Sequence, residues 1–551
     1  MKRIFAILLA LALCFTIAAC GGKANPDGGK ANPDGSSSPA PGGSNSPAPP
    51  TTTPGGGALS PGDVIEAPKG DDVKFADLID MISDVNFSVI DPHNPGGSMI
   101  GVRQVYSCIF NQLIKRTPDF EFVPELATSW ESDDLQTWIF KLRDDVYFHN
   151  GDKFNAQSVI GTVNSARENP GTIGFDSWRS VDTITAIDDY TVKMVLTAPN
   201  VDFIYYLSLR GGSIVNYEAR KADPVKGTWV GTGAYYVEMF DPADHVLLTR
   251  NDNYWGEPAI TRQLIFRFVP EYAARTIMLL NGESHLCLNV STEDTQMFID
   301  HPDFIAYTIV SNAPQALGFS MTDPILSDRN FRLAVAHALN IADLAEVAGG
   351  KWSPPVTDGT YWGYATEFRH NDLPQRKYDP ELAKKYLAES SYDGRPIEII
   401  AGVDTTHRAA ELMQEQLGKI GINITLFLTD VPTLSGLAVF GSDKVQLVHH
   451  TFAFNNSAAS ARSMLYTGGA GNRITYDNAA VRELIDKAPT ISDPKEREAI
   501  YRQIQEMVYE DIPAINIFYR VMAIIANGGI GGLIVDRDQY HDFSHIFMVV
   551  D

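Results

Sequence analysis

Residues 21–62 limit what this chain can fold into more than any other feature, because they cannot enter a hydrophobic core. They consist almost entirely of Gly, Pro, Ser, Thr, Ala and Asn, and the segment GGKANPD at 21–27 is repeated at 28–34. A stretch of this composition buries too little apolar surface to offset the entropy that it would lose on ordering. We therefore expect a disordered linker at 21–62 and a folded body that begins at about residue 63.

The segment before this linker has the pattern of a targeting sequence. Two basic residues precede an apolar run at 4–17, which is too short to span a membrane as a mature helix. The run leads into Ala-Ala-Cys20, which resembles a bacterial lipobox; the alternative is an ordinary signal peptide cleaved near Ala19. We expect a lipoprotein signal peptide at 1–20. The lipid on Cys20 would anchor the body on the extracytoplasmic face of the cell membrane, in the periplasmic space if the cell has an outer membrane.

Charge and cysteine content argue against a nucleic-acid partner and against a structural metal ion. The chain has 44 Lys and Arg against 68 Asp and Glu, a formal net charge of −24, which repels phosphate backbones and predicts no nucleic-acid partner. Of the 4 cysteines, only Cys108 and Cys287 lie in the body, and their spacing leaves open whether they form a disulfide. The sequence has no Cys-x-x-Cys motif and no Cys/His cluster, so it predicts no structural metal site.

Helical and extended patterns alternate along the body. Short runs rich in β-branched and aromatic residues predict strands at 138–142, 191–196, 246–249, 264–269 and 397–400. Amphipathic patterns predict helices at 155–167, 331–345, 380–389, 408–420 and 495–510. Asp379 and Asp493 each precede a proline and are predicted to cap the helices that follow. The fold class is therefore α/β or mixed α+β.

Seven phrases in order carry a family resemblance. They are IDP (90–92), LATSWE (126–131), FKLRDDVYFHNGDKFNA (140–156), GTGAYY (231–236), RNDNYWG (250–256), DRNFRLAVAHALN (328–340) and the stretch from LIDKA to INIFY (484–519). Together they resemble the extracytoplasmic solute-binding proteins of ABC importers, family 5, which includes oligopeptide, dipeptide and nickel types. One such phrase would be weak evidence, but seven in order span most of the body.

The resemblance implies a two-lobed fold of the periplasmic-binding-protein type II kind, with an extra domain inserted in the first lobe. The implied boundaries are 63–103, 226–310 and 522–551 for lobe one, 104–225 for the inserted domain, and 311–521 for lobe two. Such a protein would be a monomer without a cofactor. It would capture a small solute, most simply a peptide, between its lobes and deliver it to the permease and ATPase subunits of an importer.

The same reading predicts that the chain is not an enzyme. G-x-S-x-G, H-E-x-x-H and a P-loop do not occur in the sequence, although paired carboxylates would leave no such signature. The alternatives are the same fold binding an oligosaccharide or a metal chelate and, less favoured, a secreted hydrolase or a surface adhesion lipoprotein without a permease.

One departure from the family pattern bears on the solute. In peptide-binding members, a late strand leads to a Trp and then to an Asp that pairs with the peptide ammonium. Here the Trp place holds His450 and the Asp place falls at or near Ala453, with no acidic residue between Lys444 and Asp477. A buried ammonium without a counter-charge costs several kcal/mol. Either the acid comes from elsewhere or the solute has no free amine at that point.

The resemblance and the aromatic content together suggest a set of ligand-binding residues. His450, Phe452 and Phe454 share one strand parity, although core packing is an equally good explanation for the two phenylalanines. His449 and His450 are adjacent on a strand and point to opposite faces, so a shared metal ion is not expected. The predicted ligand-binding residues are His450, Phe452, Phe454, Asn455, Asn289, Trp178, Trp362 and Tyr361.

Overall fold

The structure is a computed structural model, and it describes most of the body. The described residues are 59–60, 63–69, 73–83, 89–94, 100–118, 120–170, 172–402, 406–429, 433–434, 446–451, 457–467, 469, 472–536 and 541–550. The predicted signal peptide, Cys20 and most of the linker lie outside these residues, as do Phe452, Phe454 and Asn455.

Strands of the described residues form one large sheet and three small ones. The ten-stranded sheet has the order β15-β14-β16-β13-β17-β12-β2-β11-β10-β9, and a four-stranded sheet has the order β5-β6-β8-β7. The remaining sheets are β1-β19-β18 and β3-β4. The strands are β1 (Lys74–Phe75), β2 (Leu78–Ser83), β3 (Ile114–Arg116), β4 (Phe122–Pro124), β5 (Ala127–Glu131), β6 (Thr137–Leu142), β7 (Val181–Asp188), β8 (Thr191–Leu196), β9 (Tyr235–Asp241), β10 (His245–Arg250), β11 (Gln263–Phe268), β12 (Leu286–Cys287), β13 (Phe304–Phe319), β14 (Ile397–Gly402), β15 (Ile424–Thr429), β16 (Leu447–Thr451), β17 (Ala514–Asn527), β18 (Ile530–Gly531) and β19 (Phe547–Val550).

Helices cover these sheets. They are α1 (Ile100–Ile109), α2 (Ala156–Arg167), α3 (Ile173–Trp178), α4 (Phe203–Leu207), α5 (Tyr217–Ala222), α6 (Tyr272–Leu280), α7 (Thr292–Ile299), α8 (Arg329–Ala338), α9 (Ile341–Gly349), α10 (Pro380–Ala388), α11 (Thr406–Lys419), α12 (Ser457–Leu465), α13 (Ala479–Lys487) and α14 (Pro494–Asp511). We call the part built on β2, β9–β12, α1, α6 and α7 lobe one, the part built on β14–β16 and α8–α14 lobe two, and the part built on β3–β8 and α2–α5 the inserted domain.

The two lobes are joined through the long antiparallel strands β13 and β17. Their pairing is regular from Phe304↔Asn527 to Val310↔Val521, shifts, and resumes at Pro314↔Tyr519. Proline has no N–H to give to a ladder, so Pro314 fits the interruption. A second shift follows between Gln315 and Ala316, after which the pairing is regular to Gly318↔Ala514. The irregular part, from Val310 to Ala316, therefore lies between a regular part in each lobe.

Separate hydrophobic cores lie on the two sides of this interruption and in the inserted domain. One core of lobe one includes Val105, Ile109 and Leu264, whereas that of the inserted domain includes Phe140, Val159 and Trp178. Lobe two buries side chains on both faces of its part of the sheet, as expected where strands are covered by helices on both sides.

The inserted domain is held on lobe one by polar links. The ammonium of Lys115 lies 2.6 Å from the carboxylate of Asp542, and Arg220 pairs with Asp91. Both acidic side chains are less than one-fifth exposed, with values of 16% and 19%. These two ion pairs join the inserted domain to lobe one.

Most predicted elements are confirmed, with ends that differ by one or two residues. The strands at 138–142, 191–196, 246–249, 264–269 and 397–400 correspond to β6, β8, β10, β11 and β14. The Asp379 and Asp493 side chains accept hydrogen bonds from the backbone N–H groups of Leu382 and Lys495, which confirms both caps.

The single helix predicted at 331–345 is wrong. The chain forms α8 and α9 instead, separated by Leu339 and Asn340 in extended backbone. The Asn340 side chain accepts hydrogen bonds from the N–H groups of Ala342 and Asp343, and so starts a new helix. The apolar pattern continues across residues 339 and 340, but the Asn340 side chain caps a new helix there, and so two helices form instead of one.

No disulfide joins the two body cysteines. Cys108 is buried in the core that contains α1, and Cys287 is buried in a different hydrophobic cluster. Burial raises the pKa of the Cys108 thiol, so it is not a reactive thiolate.

The Lys115–Asp542 pair gives a pH-dependent prediction. Burial alone would raise the pKa of Asp542, but Lys115 and hydrogen bonds from Ser544 lower it from 3.8 to about 2. A lowered folded-state pKa stabilises the fold above the unfolded pKa, and this contribution is lost as the pH falls towards 2. Asp542→Asn should lower the free energy of unfolding by about 1–2 kcal/mol at pH 7 and by almost nothing near pH 2, as measured by denaturant titration.

The matched control is Asp252→Asn. Like Asp542, Asp252 pairs with a basic side chain, here that of Arg250, but the Asp252 side chain is 78% exposed. The free energy of unfolding should therefore hardly change at either pH. Equal losses for Asp542→Asn at both pH values would contradict the role given to its charge.

Candidate functional site

The predicted ligand loop follows β16, which ends beside β13. His450 lies opposite Ala316 and Thr451 lies opposite Gln315 in this antiparallel pair. The Gln315 side-chain amide donates to the Thr451 hydroxyl at 2.5 Å. The end of β16, from which the chain continues into the predicted ligand loop, is therefore held in place close to the interruption in the pairing of β13.

The two adjacent histidines have different surroundings. His449 is 1% exposed, and its ring packs edge-on against Phe518 at 6.0 Å between ring centres. His450 is half-buried, and its Nδ1 accepts the backbone N–H of Thr451 at 2.5 Å. Opposite faces of β16 thus hold the two imidazoles, as expected for neighbours on a strand. Across the described part of the chain, no group of three or more His, Cys, Asp or Glu side chains is placed to hold a metal ion.

Trp362 and Tyr361, both predicted to bind a ligand, pack in a hydrophobic core of lobe two in this conformation. The Trp362 side chain is fully buried, and its indole N–H donates to the Ser457 hydroxyl at 3.1 Å. The Tyr361 hydroxyl donates to the carbonyl of Ala514 at the start of β17. Since Ser457 begins α12, Trp362 positions the residue that directly follows the predicted ligand loop.

Trp178 is likewise a core residue of the inserted domain. Its side chain is fully buried, and its indole N–H donates to the carbonyl of Gly211 at 3.0 Å. A ring with no exposed surface cannot stack on a solute in this conformation. The expectation of an aromatic side chain reaching the cleft was based on residue type alone, which does not distinguish a core position from a cleft position.

Asn289 is half-buried next to an unusual buried arginine. The carbonyl of Asn289 accepts from Arg275 Nε at 3.0 Å, and Nη1 of the same guanidinium donates to the carbonyls of Val269 and Pro270. Arg275 is fully buried and therefore fixes the backbone at Asn289. Whether the Asn289 side chain contacts a solute stays a prediction, as it does for His450.

The loop that contains Tyr361 and Trp362 is attached to the junction between the lobes by residues that sequence patterns did not identify. The Asn312 side chain accepts from the backbone N–H of Ala365 at 2.9 Å, and the Tyr364 hydroxyl donates to the carbonyl of Val310 at 2.8 Å. The Tyr364 ring also packs edge-on against Tyr519 at 5.4 Å. These contacts involve both strands at the interruption in their pairing. No local sequence signal marks them, because the partners are far apart in the chain.

A cavity of 670 Å³ lies between the inserted domain and lobe two. Tyr206 and Asn200 line it from the inserted domain, and Arg462 and Asp486 line it from lobe two. This volume is in the range of ligand pockets, about 300–1,000 Å³. Its walls come from two bodies, so its size depends on the angle between them.

Two links cross the interface beside this cavity. The backbone N–H of Val201 donates to the carbonyl of Pro489 at 2.9 Å. The Arg497 guanidinium donates to the Asp202 carboxylate at 2.8 Å, and both side chains are buried. On the outer surface, Glu293 of lobe one pairs with Arg408 of lobe two at 2.7 Å. The described structure is therefore a conformation in which the lobes are in contact.

Solved structures with the same architecture define the class. The chain superposes with a TM-score of 0.75 on the ABC transporter-associated periplasmic binding protein DppA from Helicobacter pylori in complex with peptide STSA, at 21% identity and covering 86% of this chain and 98% of that one. NikA from Brucella suis in complex with Fe(III)-EDTA gives a TM-score of 0.76 at 20% identity, covering 85% and 99%. The fold is thus the type II periplasmic-binding-protein fold, as predicted.

Sequence comparison gives the family. The dipeptide-binding protein of Escherichia coli (strain K12) is 23% identical over 478 residues, which is 80% of this chain and 88% of that protein. The family model "Bacterial extracellular solute-binding proteins, family 5 Middle" matches residues 121–473. The chain therefore belongs to family 5 of the bacterial extracellular solute-binding proteins, whose members are the solute-binding components of ABC importers. Within the described residues, no helix is both long enough and apolar enough to cross a membrane.

The attachment of the Tyr364 loop predicts that Gly363 cannot be replaced. A Cβ on Gly363 would overlap the backbone carbonyl and the side chain of Asn312. Gly363→Ala must therefore displace the loop or β13, and should lower the free energy of unfolding by at least about 2 kcal/mol. The measurement is thermal and denaturant unfolding.

Gly418→Ala is the control for this substitution. Gly418 lies in α11 with nothing within 4 Å of the added Cβ, so alanine should be neutral or stabilise by up to about 1 kcal/mol. If both variants unfolded like the parent protein, the close approach at Gly363 would have no structural importance.

Proposed function

We propose that this protein is the lipid-anchored receptor of an ABC importer, which captures a peptide or peptide-like solute between its lobes and delivers it to the permease. The observation that carries the proposal is the β13–β17 connection. It joins two lobes that have their own cores, with a cavity of 670 Å³ beside the second lobe. Family membership supports the same function and gives no support for an enzyme.

We propose domain boundaries close to those that the sequence suggests. The junctions at 310/311 and 521/522 fall where the pairing of β13 and β17 shifts. The predicted start of the inserted domain at 104 falls inside α1, whose buried side chains Val105 and Ile109 pack in lobe one. We therefore propose that this boundary lies after α1, at about residue 110.

We propose a peptide-like solute because two of the proteins that this chain resembles are described as binding peptides. One relative is named for dipeptides and one structural neighbour holds the peptide STSA, although another holds Fe(III)-EDTA. At the position of the family's ammonium-binding acid, this chain has no acidic residue near Ala453. We propose that the solute is bound without a carboxylate at that position.

A ligand panel tests the function. Thermal unfolding is measured with a dipeptide, with the tetrapeptide STSA, with the N-acetylated form of each, with an oligosaccharide and with Fe(III)-EDTA. A ligand at 100 times its Kd stabilises the folded state by about 2.7 kcal/mol. We expect stabilisation by peptides, with free and acetylated forms differing less than about 3-fold in Kd, because no acid is available for the amine.

Other outcomes of this panel have definite meanings. If acetylation raised Kd by 100-fold or more, a loss of about 2.7 kcal/mol of binding free energy, an acid elsewhere would bind the ammonium. Stabilisation by Fe(III)-EDTA alone would overturn the peptide assignment and leave the receptor function in place.

The proposed anchor is tested separately. Cys20→Ala should move the protein from the membrane fraction to the soluble fraction, because a chain with a net charge of −24 has no general attraction to anionic lipid. Fractionation followed by immunoblotting measures this. Cys108→Ala is the matched control, since Cys108 is buried in the body and should not affect fractionation. Unchanged membrane association of Cys20→Ala would contradict lipid anchoring.

A further inference from the structure

The contact between Asp202 and Arg497 connects two bodies that have to separate if the cleft opens. Asp202 directly precedes α4 in the inserted domain, and Arg497 lies in the first turn of α14 in lobe two. Arg497 Nη2 donates to Asp202 Oδ1 at 2.8 Å, and the side chains are only 10% and 6% exposed. A charged pair buried at such an interface leaves water every time the interface forms.

The hydrogen bonding of this pair is incomplete. Asp202 Oδ2 and Arg497 Nε are both buried, and neither has a hydrogen-bond partner. A guanidinium and a carboxylate can form two parallel bonds that would satisfy both atoms, but this pair forms one. Buried polar atoms without partners keep the full cost of losing water.

The surroundings of the pair compensate for this cost only in part, although the Glu367 carboxylate also interacts electrostatically with Arg497. Asp202 stands at the N-cap position of α4, but its carboxylate makes no capping hydrogen bond. Burial raises the pKa of Asp202, and the nearby charges of Arg497 and Arg462 offset this only in part. The Arg497 guanidinium lies 5.1 Å from the centre of the Phe368 ring, a contact within lobe two that does not depend on closure.

We propose that the Asp202–Arg497 pair is a closure-control element, which disfavours contact between the inserted domain and lobe two until a solute contributes its own binding free energy. The proposal rests on the proposed function, because it concerns the equilibrium between open and closed receptor. In the open state, water hydrates both groups. In the closed state, one hydrogen bond replaces that hydration, so the pair alone does not hold the lobes together.

The physics of buried ion pairs gives this element a distinctive signature. Removing one partner leaves the other charge buried and unpaired in the closed state, which is worse than the incomplete pair. Replacing both partners by apolar side chains of similar size removes the desolvation cost entirely. Single variants should therefore favour the open state, whereas the double variant should favour the closed state, even without solute.

The experiment measures the closed fraction directly, in the absence of solute. The full chain carries Cys20→Ala, with spin labels on cysteines introduced for Glu218 of the inserted domain and Glu381 of lobe two, whose side chains are 76% and 83% exposed. The native Cys108 and Cys287 are buried. Distance distributions are recorded for the parent protein, Asp202→Asn, Arg497→Met and the double variant Asp202→Leu/Arg497→Met.

We expect the double variant to raise the ratio of short to long distances by roughly 5-fold or more relative to the parent protein without solute. Asp202→Asn and Arg497→Met should stay open and should bind the best peptide of the panel roughly 10-fold to 100-fold more weakly. The matched control is Glu293→Gln/Arg408→Met, which removes an exposed ion pair between the lobes and should leave the distribution unchanged.

Failure of the closure-control proposal is distinguishable from failure of the proposed receptor function. If solute shortens the distance in the parent protein but the double variant leaves the solute-free distribution unchanged, the closure-control proposal is wrong and the receptor function stands. If the double variant becomes more open than the parent protein, the pair is an attractive latch, which also overturns the proposal. If no compound of the panel changes the distance in any variant, the proposed receptor function itself fails.

Discussion

The pairing of β13 with β17 is the constraint on which the rest of the structure depends. In the described ten-stranded sheet these two strands lie between the outer halves, so the sheet continues from one lobe to the other through them. Regular pairing on the lobe-one side runs up to Val310, the register shifts between Val310 and Pro314 and again between Gln315 and Ala316, and three regular pairs follow in lobe two. The irregular pairing is thus confined to the part of the two strands where the lobes meet, which is where a hinge would bend.

The inserted domain makes the two lobes unequal. It is attached to lobe one through nearly buried carboxylates, Asp542 with Lys115 and Asp91 with Arg220. Towards lobe two, its buried contact is the incompletely bonded pair of Asp202 and Arg497. The two interfaces differ in how their buried carboxylates are stabilised, although Arg220 Nε, like Arg497 Nε, is buried without a hydrogen-bond partner. The difference concerns Asp542 and Asp202. In the interface with lobe one, Lys115 and Ser544 stabilise the charged form of Asp542, whereas burial of Asp202 outweighs the charges around it.

Sequence patterns predicted the local structure and the family better than they predicted the site. Strands such as β8 were predicted to the residue, because β-branched runs between turn formers reflect local preferences. Trp178 and Trp362 were predicted to bind a ligand and are buried in hydrophobic cores in this conformation, a setting that residue type alone does not show. The Asp202–Arg497 contact joins residues 295 positions apart, and no short-range pattern reports it.

The buried tryptophan of lobe two supports the residue that directly follows the predicted ligand loop. Trp362 donates to the hydroxyl of Ser457, and that hydroxyl donates to the carbonyl of Glu367, so the first residue of α12 is held from its own lobe. The end of β16 is fixed on the other side by the bond between Gln315 and Thr451. The described residues on either side of 452–456 are therefore held by contacts within lobe two. The family position near Ala453 carries no acidic residue in this sequence, and the contacts that hold Thr451 and Ser457 do not involve that position.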